Sequence, residues 1–172
     1  EVADRMIVFR RGRKIAERGT IMRPMGAYGL SYPINLPLQI SFFRLLSGDL
    51  APGSKLLFPF YYFSLVVGAY SALQKRSGWS YGLLGGLLVG TVPILLEHAT
   101  IGYANLPFTV YLVLGLTAVM GGAENDRCGE QMLGGLLLGL ASWTRPEGAF
   151  LLLPMLLTIY LGMKLLRKNA PR

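Results

Sequence analysis

An all-α membrane protein, a polytopic helical bundle, is the fold class the sequence predicts, and three observations predict it. Hydrophobic residues make up 52% of the 172 residues and charged residues 15%, whereas a soluble domain carries about 25% charged. The apolar residues fall into long uncharged blocks, not into the one-sided spacing of a surface helix. The charge that remains is lopsided, because nine of the 17 basic residues precede Leu56: Arg5, Arg10, Arg11, Arg13, Lys14, Arg18, Arg23, Arg44 and Lys55. Beside a bilayer such a cluster favours anionic headgroups or phosphates over nucleic acid as its partner, or stays a solvated basic loop.

Residues 1–54 are expected to form an extracytoplasmic loop carrying interfacial helices. They are rich in turn formers, among them Gly12, Gly19, Pro24, Gly26, Gly29, Pro33 and Pro37. Residues 3–18 suit one helix. Leu36–Leu46 suits a second, broken by Gln39 and Arg44. About 11 residues rise only about 17 Å as a helix, short of a ~30 Å hydrocarbon core, so this segment is predicted to lie at the interface.

Residues 55–172 are expected to form the transmembrane region, with about five spans. Leu56–Gln74 is 19 residues without a charge, closed by Lys75-Arg76-Ser77-Gly78. Trp79–Leu96 follows, ending at Glu97-His98, and Tyr103–Gly122 is the third span. A polar loop over 123–131 leads into Met132–Thr144 and Ala149–Met163, a short pair hinged at Arg145-Pro146-Glu147-Gly148. Gly82, Gly86 and Gly90, and likewise Gly135 and Gly139, are four apart, a spacing that lets helix backbones approach closely.

The basic 75–76 turn, the 123–131 loop and the C-terminus share one side in this arrangement, which the positive-inside rule makes cytoplasmic. Asp4, the 28–37 turn, Glu97-His98, Tyr103 to Asn105, and Arg145 with Glu147 then share the other. Charge at a junction between apolar helices is costly and marks a membrane face or a wet cavity. Scattered polar residues gathered at one face are what an active site requires. One cysteine, Cys128, excludes an internal disulfide, and one histidine without a neighbouring cysteine defines no zinc site.

Two blocks carry a family resemblance. Glu97-His98-Ala99-Thr100-Ile101-Gly102-Tyr103-Ala104-Asn105-Leu106-Pro107 and Ala141-Ser142-Trp143-Thr144-Arg145-Pro146-Glu147-Gly148 resemble segments of membrane glycosyltransferases of the GT-C fold, the relatives of protein O-mannosyltransferases and of the aminoarabinose transferase. Tyr32-Pro33-Ile34-Asn35-Leu36-Pro37-Leu38 resembles the Pro-rich stretch of that family's first outer loop. The resemblance runs from about Asp4 to Pro154. It implies a partial GT-C fold whose first helix would precede Glu1, in the inner membrane of a bacterium or archaeon. It also implies transfer of a sugar from a polyprenyl phosphate, a lipid-linked co-substrate, to a lipid, glycan or protein acceptor.

The family's acceptor-activating carboxylate lies some fifteen residues before a glycine that closes a helix, and Asp4 stands fifteen before Gly19. Three departures accompany the match: Arg5 replaces a second acid, Asn105 replaces an aspartate, and Tyr32 replaces a His or Lys. Arg145 has the fork of donors for the phosphate, with Glu147 and His98 to orient it, and Tyr103 has a ring to stack on a sugar. The residues alone allow plainer roles: Asp4 paired with Arg5, Arg145 paired with Glu147, His98 as a helix cap, Tyr103 as an interfacial anchor. They leave the cofactor undefined. They also suit a transporter or flippase with a short helix pair lining its path, or a non-catalytic membrane subunit.

Overall fold

The computed structural model describes residues 2–18, 33–46, 53–145, 147, 148, 150 and 154, and these are helical without a strand. Among the described residues seven α-helices follow one another: α1 (Val2–Arg18), α2 (Asn35–Leu46), α3 (Leu57–Ser77), α4 (Trp79–Gly90), α5 (Pro93–Ile101), α6 (Asn105–Glu124) and α7 (Cys128–Ser142). A 3-10 turn, Gly53–Leu56, leads into α3. Of the final expected span, Ala149–Met163, the structure describes Phe150 and Pro154 alone, and Gly19 and Tyr32 lie outside the described residues.

The helices pack as pairs: α1 on α2, α3 on α4, and α6 on α7, with α3 and α6 joining the pairs at the centre. Gly78, at φ +96°, turns α3 back into α4, and Asn125 to Arg127 turn α6 back into α7. The Gly82–Gly86–Gly90 stripe does bring α4 onto α3. A Cβ at Gly82 would lie 2.9 Å from that of Gln74, and Gly86 and Gly90 face Tyr70, Val66 and Tyr62.

The second expected span is not one helix. It breaks after Gly90, and α4 and α5 are bent by 59°. Pro93 is the cause: it cannot continue the hydrogen-bond ladder, and it forces the preceding Val92 to extended backbone, φ −70°, ψ 111°. The Thr91 hydroxyl donates to the carbonyls of Leu87 and Leu88, satisfying part of the helix end that the break opens.

The short helix α2, expected at the interface, is instead half enclosed. Leu36 and Ile40 are fully buried, in one core with Leu57, Phe58, Tyr61, Leu65, Leu106 and Val110. Residue 54 is therefore no packing boundary. The wide apolar outer surface remains on α2 as Phe42, Leu45 and Leu46 and continues on α3 as Phe60, Phe63 and Val67, all exposed.

Gly135 and Gly139 correct a second expectation. Both face open space, and α7 meets α6 through Gly134, which lies against the Gly115 carbonyl and Val119. The inward face of α7 is Gly134, Leu138 and Ala141, all buried, one position around the helix from the stripe that spacing suggested.

Among the described residues one helix, α6, is long and apolar enough by itself to cross a bilayer, and the bent pair α4–α5 is so when taken together. The 21 residues of α3 include Tyr61, Tyr62, Tyr70, Ser64, Ser71 and Gln74, which dilute its hydropathy. At 15 residues α7 is too short.

The two hairpin turns meet at one end of the bundle in a set of ion pairs. Lys75 lies 3.3 Å from Glu130, Arg127 lies 3.1 Å from the same carboxylate, and Arg76 pairs with Glu124. The hydrogen bond from Arg127, then that from Lys75, holds the Glu130 carboxyl below its ordinary value of 4.5. A carboxylate depressed on folding stabilises above its unfolded pKa, and that stabilisation fades as pH falls through the folded value. Thermal midpoints measured across pH 3–7 are expected to fall less steeply on the acid side for Glu130→Gln than for the wild type. Identical slopes would show that the cluster does not hold the hairpins together.

Candidate functional site

The other end of the bundle collects three stretches of chain: the start of α2, the α5–α6 link, and the turn after α7. Each is placed by a local stop signal. Gly102 closes α5 in the left-handed region, φ +81°, ψ 45°, with its N–H on the His98 carbonyl. A residue with a Cβ is strained there, and that Cβ would also meet Phe9 at 3.0 Å and Phe58 at 3.2 Å. The chain then re-enters helix at Asn105, and Pro107 takes a position in the first turn, where no N–H is needed. After α7, the N–H of Gly148 closes the turn on the Arg145 carbonyl at 3.0 Å. Gly148 sits so close to Ser142 and the Ala141 carbonyl that a Cβ would be 2.9–3.0 Å from them.

Arg145 is the centre of this end. Its Nη1 donates to the Asn105 side-chain carbonyl, and its Nε and Nη2 donate to the two Glu147 oxygens at 3.2 and 3.3 Å. The Arg145 side chain is 29% exposed and that of Glu147 57%. Three of the five guanidinium hydrogens are committed, which leaves one on each terminal nitrogen. The paired carboxylate offsets the charge of Arg145, yet its exposure lets it yield to a stronger anion. Asn105 thus serves as a neutral acceptor where an aspartate would have added charge.

His98 meets Tyr103 edge to face, with ring centroids 5.4 Å apart. Both are half-buried, and Tyr103 is two residues from Asn105. The structure therefore gathers Arg145, Glu147 and Asn105 directly and carries Tyr103 and His98 alongside. Asp4 and Arg5 occupy the first turns of α1, and their side chains lie outside the described part. On the same helix Phe9 packs on Phe58, with ring centroids 6.0 Å apart, beside Gly102. Among the described residues no three His, Cys, Asp or Glu side chains form a cluster fit for a metal.

Sequence reasoning missed a polar chain that runs inward from this end. The Asn35 amide donates to the Thr144 hydroxyl at 2.9 Å and to the Leu140 carbonyl at 3.4 Å. The Gln39 amide donates to Asn35 Oδ1 at 2.9 Å and to the Tyr111 hydroxyl at 3.0 Å. The Tyr61 hydroxyl donates to Gln39 Oε1 and lies 2.6 Å from the Tyr111 hydroxyl.

Donor counting closes the last link. Tyr61 has one proton and spends it on Gln39, so Tyr111 must donate to Tyr61. Gln39, Tyr111 and Tyr61 then form a closed cycle of three hydrogen bonds, with every proton committed. Such a cycle clamps α2 to α3 and α6 and offers no free proton to a substrate. The available signal was Asn35 and Gln39 four apart, on the helical face that also holds Leu36 and Ile40.

Family models, characterised proteins and solved structures show no match to this chain.

Proposed function

We propose that this chain is a polytopic membrane part of a GT-C-like glycosyltransferase, which moves a sugar from a polyprenyl-phosphate donor to a lipid, glycan or protein acceptor at the outer face. The observation that carries the reading is the Arg145–Asn105 hydrogen bond. It joins the two blocks that resemble the family through residues 40 apart in the chain, and leaves two guanidinium hydrogens uncommitted.

Membrane embedding is supported by length and surface. The 20 residues of α6 rise about 30 Å, the thickness of a hydrocarbon core, and connect Asn105 at the Arg145 end to Glu124 among the ion pairs. Only 28% of its apolar window is buried, and Leu83, Leu84, Leu87 and Leu88 of α4 are exposed. So much exposed apolar surface suits lipid. The helices α3, α4–α5 and α6, α7 extended by the residues that flank it, and Ala149–Met163 would make five spans in the cell membrane of a bacterium or archaeon.

In the reaction an acceptor oxygen attacks the anomeric carbon, and the bond from that carbon to the phosphate oxygen breaks, the electron pair leaving with the phosphate. Arg145 binds the phosphate as that charge develops. Asp4 takes the acceptor proton, with Arg5 beside it in the sequence. Glu147 and His98 orient these groups, and Tyr103 offers its ring to the sugar. A transporter reading has less support, because the side-chain polar atoms of Asn35, Gln39, Tyr61, Tyr111 and Thr144 inside the bundle are spent on one another.

The test uses the whole protein in lipid nanodiscs, with farnesyl phosphate as probe and farnesol as control. Arg145→Ala is expected to weaken farnesyl phosphate binding at least about tenfold, as loss of a charge-assisted fork should, while farnesol binding stays constant. Sugar transfer from a polyprenyl-phosphate donor should be lost in Arg145→Ala and in Asp4→Asn. Wild-type binding and transfer in both variants would remove the assignment.

A further inference from the structure

Directly behind Arg145 lie two polar side chains to which the reaction above gives no role. Thr144 is 1% exposed and Asn35 4%. They meet where α7 stops. Trp143 N–H still makes the helical bond to the Gly139 carbonyl, whereas Thr144 N–H has fallen back to the Ala141 carbonyl, three residues earlier. The Leu140 carbonyl, which the helix end would otherwise leave without side-chain partners, accepts from the Thr144 hydroxyl at 2.7 Å and from the Asn35 amide at 3.4 Å. The same Asn35 amide donates to the Thr144 oxygen at 2.9 Å. Asn35 is fixed in turn by Gln39, a member of the closed cycle with Tyr61 and Tyr111.

The chain leaves this knot as Arg145. The residue after it, Pro146, has no N–H with which to brace the turn, and the backbone bond across the turn runs from Gly148 to the Arg145 carbonyl. The Glu147 partner is largely exposed and fixes little. What holds the base of the Arg145 side chain against Asn105 is the buried Thr144 one residue earlier, and what holds Thr144 is α2. A guanidinium serves a phosphate only while its donors keep their direction.

We propose that the Asn35–Thr144 hydrogen bond is a latch that sets the position of the Arg145 guanidinium, and that Asn35 and Thr144 are positioning residues for the phosphate of the lipid-linked substrate. This role for the latch rests on the reading of Arg145 as the phosphate-binding group. The helix α2, too short to cross a bilayer, then acts as a wedge that transmits the rigidity of the interior cycle to the rim.

The test uses the whole protein in nanodiscs and three variants. Thr144→Val keeps the shape and deletes the hydroxyl, Thr144→Ser keeps the hydroxyl, and Asn35→Asp keeps the size and loses the N–H donors. The first readout is the rate of phenylglyoxal modification at Arg145, followed by peptide mass spectrometry, and it needs no ligand. It should rise about fivefold in Thr144→Val and Asn35→Asp, the factor that loss of one hydrogen bond represents, and stay at the wild-type rate in Thr144→Ser. The second is farnesyl phosphate affinity, which should fall by about the same factor in the first two variants and be restored in Thr144→Ser.

A folded Thr144→Val or Asn35→Asp protein whose Arg145 reacts at the wild-type rate overturns the latch. Failure of Thr144→Ser to restore the rate overturns it too, since packing rather than the hydroxyl would then be responsible. If Arg145→Ala binds farnesyl phosphate like the wild type, the phosphate reading falls instead. The modification rates decide the latch separately.

Discussion

Gln39→Leu is expected to destabilise the protein by roughly 2–4 kcal/mol, from two polar atoms left without partners in a part-buried network at about 1–2 kcal/mol each. Leucine fills much the same space and is more apolar, so a residue on a mostly apolar helix would ordinarily tolerate it. Here it removes the donor to Asn35 Oδ1 and to Tyr111, and the acceptor for Tyr61. The two tyrosines can still bond one another, but a single hydroxyl pair cannot satisfy both protons. Tyr61→Phe should fall in the same range, because it takes the donor from Gln39 Oε1 and the acceptor from the Tyr111 proton at once.

The sharper expectation concerns the combined variant. Gln39→Leu, Tyr61→Phe and Tyr111→Phe together replace the cycle with apolar groups of similar shape, leaving only Asn35 Oδ1 without its donor. Removing both partners of a buried hydrogen bond is far less costly than removing one. The triple variant should therefore be more stable than Gln39→Leu alone, a strongly non-additive result. Thermal midpoints of the wild type, the three single variants and the triple variant in one lipid composition check this. Additive losses would mean that the three side chains do not share protons.

What was legible in the sequence was charge against an apolar background. Arg145, Glu147, His98 and Asn105 stand out because their neighbours are hydrocarbon, and the structure brings Arg145, Glu147 and Asn105 into contact. Asn35 and Gln39 were not legible as a pair, although Gln39 was noticed as an interruption. Uncharged amides on a short helix next to turn formers look like interfacial polarity, and only the hydrogen bonds from α2 to α3, α6 and Thr144 show that Asn35 is buried and Gln39 half-buried. Pro93 was visible, but the continuous hydropathy of 79–96 hid its effect on the backbone. A single missing N–H is invisible to a window that counts apolar side chains. The helix around Asp4 was legible as a helix, and the placement of its carboxylate lies outside what the structure describes.

The face of α7 was a different kind of failure, and it supports a second large effect. Glycines four apart mark a possible close approach, but the spacing fits Gly135–Gly139 without saying whether that stripe or its neighbour meets a partner. Packing decides it through Leu138 and Ala141, which belong to the same face as Gly134.

A Cβ at Gly134 would lie 2.7 Å from the Gly115 carbonyl oxygen and 2.7 Å from the Val119 backbone nitrogen. Both are backbone atoms that no side-chain rotation can move. Gly134→Ala must therefore push α6 and α7 apart, at a cost of roughly 1–3 kcal/mol for overpacking. Gly135→Ala meets nothing within 4 Å and should gain about 0.5–1 kcal/mol from reduced backbone freedom in the unfolded chain. Two adjacent, chemically identical substitutions should thus shift unfolding in opposite directions, about 1.5–4 kcal/mol apart. Equal effects, or loss at Gly135 with Gly134 unharmed, would rotate α7 by one residue and move Ala141, Thr144 and the root of Arg145 to a different face.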